Sequence, residues 1–119
     1  MDEDAVLIRN VFEMPCELSD MSPVAIARRF TRDYIEHGDR HELEREIWSA
    51  YRAVDAESDF VVIEGTGHAG VGACFDLSNA RVAKLLKSKV VLVTGGGIGR
   101  PVDEVMLNRC LFTQAGVEI

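Results

Sequence analysis

An α/β fold with a mostly parallel sheet and flanking helices is predicted by three observations. Two short apolar runs, Phe60-Val61-Val62-Ile63 and Val90-Val91-Leu92-Val93, lack polar alternation and are rich in β-branched residues, which suits strands covered on both faces. Segments with helical spacing precede, separate and follow them. Each run empties into a glycine-rich loop, Gly65 to Gly72 after the first and Gly95 to Gly99 after the second. Strand, helix and strand in this order make a right-handed crossover unit, so both loops are expected at the same carboxyl edge of the sheet, where open α/β sheets bind ligands. At 119 residues the chain fits a single domain able to bury roughly two-thirds of its unfolded surface.

Taken in order, Ala5 to Phe12 carries Arg9 and Asn10 among apolar residues, and its periodicity leaves helix and strand both open. Ser22-Pro23 has the chemistry of a helix start, serine as cap and proline at the first helical position, followed by Ile26, Phe30 and Tyr34 at four-residue spacing. That helix should stop near Gly38. Asp39 with Glu42 three residues on forms a capping pattern, and Leu43, Ile47, Ala50 or Tyr51, and Val54 make the apolar stripe of a second helix reaching about Ala56. A strand is expected over residues 59–64. Ser78 can cap a helix carrying Ala80, Val82, Ala83, Leu85 and Leu86, and a second strand is expected from Lys89 to Thr94. The last helix begins near Pro101, with Asp103 and Glu104 in a first turn whose dipole favours carboxylates, and Gly116 closes it. Val117-Glu118-Ile119 reads as the opening of a further strand.

Composition excludes several classes of function. With 13 Lys+Arg against 20 Asp+Glu, the net charge of -7 is the wrong sign for a dedicated nucleic-acid or anionic-membrane binder. Phosphates can still be held locally, by backbone amides and a metal. Cys16, Cys74 and Cys110 are odd in number and irregularly spaced, with no CxxC pair, so a reducing compartment is expected and Cys74 reads as a buried structural thiol. The apolar runs fall far short of the ~20 residues that span a bilayer. Met1-Asp2-Glu3-Asp4 is acidic where a signal or transit peptide would be basic, and a cytoplasmic location is expected.

The expected ligand site is therefore one for a phosphate or small anion, built around Glu64, the 65–72 loop and the 95–100 loop. Glu64 follows a buried-type run directly, so its carboxylate either serves as a metal ligand or base, or caps nearby loop amides. His68, inside the glycine loop, is the histidine placed to touch a ligand. His37 and His41 flank Asp39 at four-residue spacing, but Gly38 and the helix start at Asp39 break their common face, and a solvated turn is expected there. Gly65-Thr66-Gly67-His68-Ala69-Gly70 matches G-x-G-x-x-G, yet the next helix starts only after Ser78, and the second run ends in Thr94 where a dinucleotide site wants an acidic ribose ligand. Thr94 to Arg100 is similar to the cofactor loop of short-chain dehydrogenases, but one residue short of their spacing and without a Tyr-x-x-x-Lys.

From Asp59 to Gly99 the chain resembles the dethiobiotin synthetase and cobyrinic acid synthase group of P-loop proteins. Asp59-Phe60-Val61-Val62-Ile63-Glu64-Gly65-Thr66-Gly67 is similar to that group's strand ending in Glu-Gly-Thr-Gly or Glu-Gly-Ala-Gly, and Val90 to Gly99 to its next strand and glycine turn. Ser22-Pro23 resembles the start of the helix lining the acyl-substrate site, and Asp2-Glu3-Asp4-Ala5 the segment bearing an acidic metal ligand. Gly67-His68-Ala69-Gly70-Val71-Gly72 with Gly95 to Arg100 is most similar to the dethiobiotin-synthetase-like N-terminal domain of some phosphate acetyltransferases. The resemblance implies a Rossmann-like P-loop sheet and a reaction in which ATP phosphorylates a carboxylate or carbamate before an amine or amide closes on the acyl phosphate. It implies Mg²⁺ and ATP as cofactors and a small carboxylate substrate. Glu64 and Asp4 would be Mg²⁺ ligands, Gly65, Thr66, Gly67, His68 and Gly70 would hold the substrate anion, and Ser22 would border the substrate site.

The group's defining G-x-x-x-x-G-K-S/T motif, which cradles the phosphates, is absent. Residues 1–119 are therefore expected to be the central portion of such a domain, without the N-terminal P-loop strand or the C-terminal strands and inactive alone. An open sheet edge would then invite a homodimer or a partner chain that supplies the missing strands. The alternative is a non-catalytic regulatory or binding module that assembles with another chain.

Overall fold

The structure is a computed structural model in which residues 3–26 and 30–119 are described. It contains six α-helices among those residues: α1 (Glu3–Phe12), α2 (Leu18–Met21), α3 (Phe30–His37), α4 (Arg40–Ala56), α5 (Asn79–Leu86) and α6 (Arg100–Ala115). A single 3-10 turn spans Ala73–Phe75. The chain divides into two compact units, Met1–Ile63 and Glu64–Ile119.

In the first unit, α2 packs on α4 and on α1. The ambiguity over residues 5–12 resolves as helix, with Glu3 and Asp4 in the first turn. Asp39 caps α4 as its chemistry requires: in extended conformation it accepts the His41 amide at 2.8 Å, satisfying one of the donors every helix start leaves open. Of the α4 stripe, Ile47 and Ala50 are buried and Leu43, Tyr51 and Val54 are half-buried. Ser22 does not open a helix. Its amide donates to the Leu18 carbonyl at 3.0 Å, so it closes α2, and Pro23 to Ile26 are irregular. The expected helix through residues 27–29 lies outside the described residues. Gly38 ends α3, its amide donating to the Tyr34 carbonyl at 2.7 Å.

In the second unit, α5 packs against α6 around Ala69, Ala80, Ala83 and Phe112, with Val90, Leu92, Ala115 and Val117 against that cluster. Ser78 caps α5 by accepting the Arg81 amide at 3.1 Å. Pro101 sits in the first turn of α6, and Gly116 ends that helix at φ 75°, the left-handed conformation glycine adopts without strain. Cys74 is exposed in the 3-10 turn, which corrects the expectation of a buried thiol; Cys16, just before α2, is the buried one.

The expected sheet is not formed. No described residue lies in a strand, and this overturns the mostly parallel α/β architecture, including the strand expected from Val117. Residues 59–64 and 89–94 are irregular, and none of their backbone groups has a hydrogen-bond partner among the described residues. A strand exists only where a second backbone completes its ladder, so apolar, β-branched composition is a fitness for pairing rather than pairing itself. Val90 and Leu92 turn to the core while Val91 and Val93 are 86% and 93% exposed.

Candidate functional site

The candidate site is the loop from Glu64 to Gly72, and its shape is set by the two helices of its own unit. Asn79, the first residue of α5, donates from its side-chain amide to the Thr66 and His68 carbonyls, both at 2.9 Å. From α6, the Asn108 side-chain oxygen accepts the Ala69 amide at 2.6 Å, while its Nδ2 donates to the Glu104 carbonyl at 2.7 Å. The helix start is tied to the same loop: the Asn79 amide donates to the Val71 carbonyl at 3.1 Å and the Ala80 amide to the Ala69 carbonyl at 3.2 Å. With Arg81 held by Ser78, the first amides of α5 are used up inside the protein, and this helix N-terminus has no donors left for an anion.

Gly72 closes the loop. At φ 90° it occupies a conformation that side-chain-bearing residues avoid, and a Cβ there would strike the Leu77 carbonyl oxygen. The Gly72 carbonyl in turn accepts the Phe75 amide at 2.9 Å and the Leu77 amide at 3.1 Å.

The predicted anion-binding residues are therefore brought into one loop but are not equivalent. The amides of Gly65, Thr66, Gly67 and His68 have no partner among the described residues. The Gly70 amide is taken by His68 Nδ1 at 3.1 Å, which leaves the hydrogen of the neutral imidazole on Nε2, and the ring is exposed. Glu64 is also exposed, with no ion pair or hydrogen bond among the described residues. Sequence reasoning missed Asn79 and Asn108. The only available signal was the position of Asn79 immediately after the capping Ser78.

Asp4 lies in the first turn of α1 and Ser22 at the end of α2, both in the first unit, whereas Glu64 and its loop belong to the second. Among the described residues, no group of three or more His, Cys, Asp or Glu side chains is placed to hold a metal ion. A hard ion that keeps most of its waters needs only one or two carboxylates from protein, and exposed Glu64 fits that requirement as a single ligand. Next to Ser22, an open groove of about 280 Å³ is lined by Ser19, Asp20, Pro23, Glu46, Ser49 and Ala50. Two carboxylates on its wall are the wrong charge for a carboxylate substrate.

The second glycine loop leads from residue 94 into α6, where the Gly99 carbonyl accepts the Val102 amide at 2.8 Å and Arg100 pairs with Glu104 at 2.7 Å. No described helix is long and apolar enough to cross a membrane. No solved structure matches the chain. The whole sequence, residues 1–119, does match the family model described as AAA domain, and the chain thus belongs to that P-loop NTPase family, which includes dethiobiotin-synthetase-like members.

Proposed function

We propose that the chain is the central portion of an Mg·ATP-dependent ligase-type P-loop domain, of the dethiobiotin synthetase or cobyrinic acid amidotransferase kind. The observation that carries this reading is the 64–68 segment: an exposed carboxylate with no partner among the described residues, followed by four backbone amides with none there either. Within a family built to handle nucleotide phosphates, that pairing suits one Mg²⁺ ligand beside an anion cradle. When bound, the metal would neutralise charge on a transferred phosphoryl group. Glu64 would hold it through one carboxylate, and the amides of Gly65, Thr66, Gly67 and His68 would hold the substrate carboxylate or acyl phosphate. Gly70 would act only through His68, because its amide is already engaged. Asp4 would be the second ligand carried over from the resemblance. Phosphoryl transfer needs a phosphate-cradling loop with its lysine, and no G-x-x-x-x-G-K-S/T segment occurs in residues 1–119, so turnover by this chain alone is not expected.

Calorimetric titration with ATP in the presence and absence of Mg²⁺ tests the reading. Saturable binding that requires Mg²⁺ and is lost in Glu64→Ala is the expected result. Mg²⁺-dependent binding that survives Glu64→Ala would displace Glu64 from the site.

A second reading is favoured by the unpaired apolar backbone of residues 59–64 and 89–94. In it the chain is a non-catalytic module that assembles with another chain, and no nucleotide binding would be seen at millimolar Mg·ATP.

A further inference from the structure

Among the exposed peptide planes of the 64–72 loop, the one between Thr66 and Gly67 has its direction set by a side chain. The Asn79 amide has two hydrogens and gives one to the Thr66 carbonyl and one to the His68 carbonyl, both at 2.9 Å. In a trans peptide the carbonyl and the N–H that follows it point in opposite directions. Holding the Thr66 oxygen toward α5 therefore turns the Gly67 N–H away from α5. Gly67 is exposed, and that hydrogen meets no acceptor among the described residues. The other clamped plane, from His68 to Ala69, has nothing left to offer: its carbonyl also accepts the Val71 amide at 3.0 Å, and its N–H goes to the Asn108 oxygen at 2.6 Å. The amides of Gly65, Thr66 and His68 share their planes with the carbonyls of Glu64, Gly65 and Gly67. Those carbonyls have no donor among the described residues, so no bond there fixes the three amides. Gly65 makes room for the clamp, since a Cβ at that position would lie 3.0 Å from Asn79 Cγ, tighter than side chains ordinarily pack.

We propose, resting on the reading of residues 65–68 as an anion cradle, that Asn79 is the positioning residue of that cradle and that the Gly67 amide it orients is the donor anchoring a phosphate-type oxyanion. Asn79 touches no ligand in this arrangement and acts through the Thr66–Gly67 peptide. A donor already aimed before the ligand arrives loses little freedom on binding, so it anchors better than amides whose planes must first be ordered. The same bond keeps the Thr66 oxygen, a partial negative charge, off the side from which the Gly67 hydrogen is approached.

Amide-resolved NMR titration of the 119-residue chain with inorganic phosphate, without nucleotide or divalent metal, tests the assignment. In the unsubstituted protein the Gly67 amide should shift farthest among residues 65–68. Asn79→Ala removes the clamp, and Asn79→Asp keeps its shape but, when ionised, has no hydrogen to donate. Aspartate also suits the first turn of a helix, so α5 should persist, and unchanged helical circular dichroism verifies it. Each variant should weaken phosphate binding by about tenfold and abolish the lead of Gly67. Asn108→Ala loosens the same loop from its α6 side but leaves the Thr66–Gly67 plane held, so phosphate affinity should change by less than about twofold. No phosphate-dependent shift anywhere in residues 65–68 of the unsubstituted protein would overturn the anion reading of the loop, and the role of Asn79 with it. Shifts led by another of these residues, indifference to both Asn79 variants, or equal losses in Asn79→Ala and Asn108→Ala would leave the anion reading in place and overturn the role of Asn79 alone.

Discussion

One side-chain amide, that of Asn79, holds two carbonyls of the 64–72 loop, and one side-chain oxygen, that of Asn108, holds its Ala69 amide. Replacing Asn108 by alanine leaves the Ala69 donor without its partner in a buried residue, and a loss of about 1–2 kcal/mol is expected in urea denaturation. Gly72→Ala should cost about 1–3 kcal/mol by the same measurement, because the new methyl meets the Leu77 carbonyl in a conformation already unfavourable for alanine. Tyr51 offers a pH test. Its hydroxyl, donating to Asp55 at 3.3 Å, titrates above the usual 10.0 because of desolvation first and then the Asp55 charge and hydrogen bond. The folded state therefore binds this proton more tightly than the unfolded state. Any stability it contributes is complete below the unfolded value and is lost as pH rises through the folded one. Asp55→Asn should lower the Tyr51 midpoint in an ultraviolet absorbance titration.

At the scale of elements, α4, α5 and α6 were legible because their signals are local: Asp39 and Ser78 as caps, Pro101 at a first turn, Gly116 at an end, and stripes at helical spacing. Ser78→Ala removes the acceptor for the Arg81 amide and should cost about 1 kcal/mol, read as a lower midpoint of thermal unfolding. The reading failed where the outcome depends on distant residues. Ser22-Pro23 has the right chemistry to begin a helix, but the turn before it, Leu18–Met21, uses the serine amide as its own end. The apolar segments were recognised as material for strands, yet pairing is decided by a second backbone that composition does not specify. The loop at Glu64 is marked in the sequence by its glycines and its preceding apolar run. Its supports escaped notice because Asn108 reaches it across thirty-nine positions of sequence, a separation that no periodicity encodes.

For the whole molecule, exposed apolar surface is set against net charge. Large apolar side chains such as Leu7, Phe12, Phe60, Val93, Ile98 and Leu107 are more than half exposed, and among the described residues no large side chain is fully buried. A net charge of -7 makes copies repel one another at neutral pH. As carboxylates protonate on acidification, that repulsion fades while the apolar surface is unchanged, so turbidity should rise toward the isoelectric point and fall again below it. Added salt should shift the onset toward neutral pH by screening the same charges.

The anchoring of Ala69 has a consequence for how the loop's amides meet solvent. Its amide is clasped by α6 and its carbonyl by α5, whereas the four amides before it face no acceptor among the described residues. Deuterium should therefore enter Gly65, Thr66, Gly67 and His68 rapidly and Ala69 slowly, giving a sharp step between neighbouring residues. The loop is thus held by its carbonyls and presents its amides: Asn79 fixes Thr66 and His68 through their oxygens, while their N–H groups stay open to exchange up to the step at residue 69.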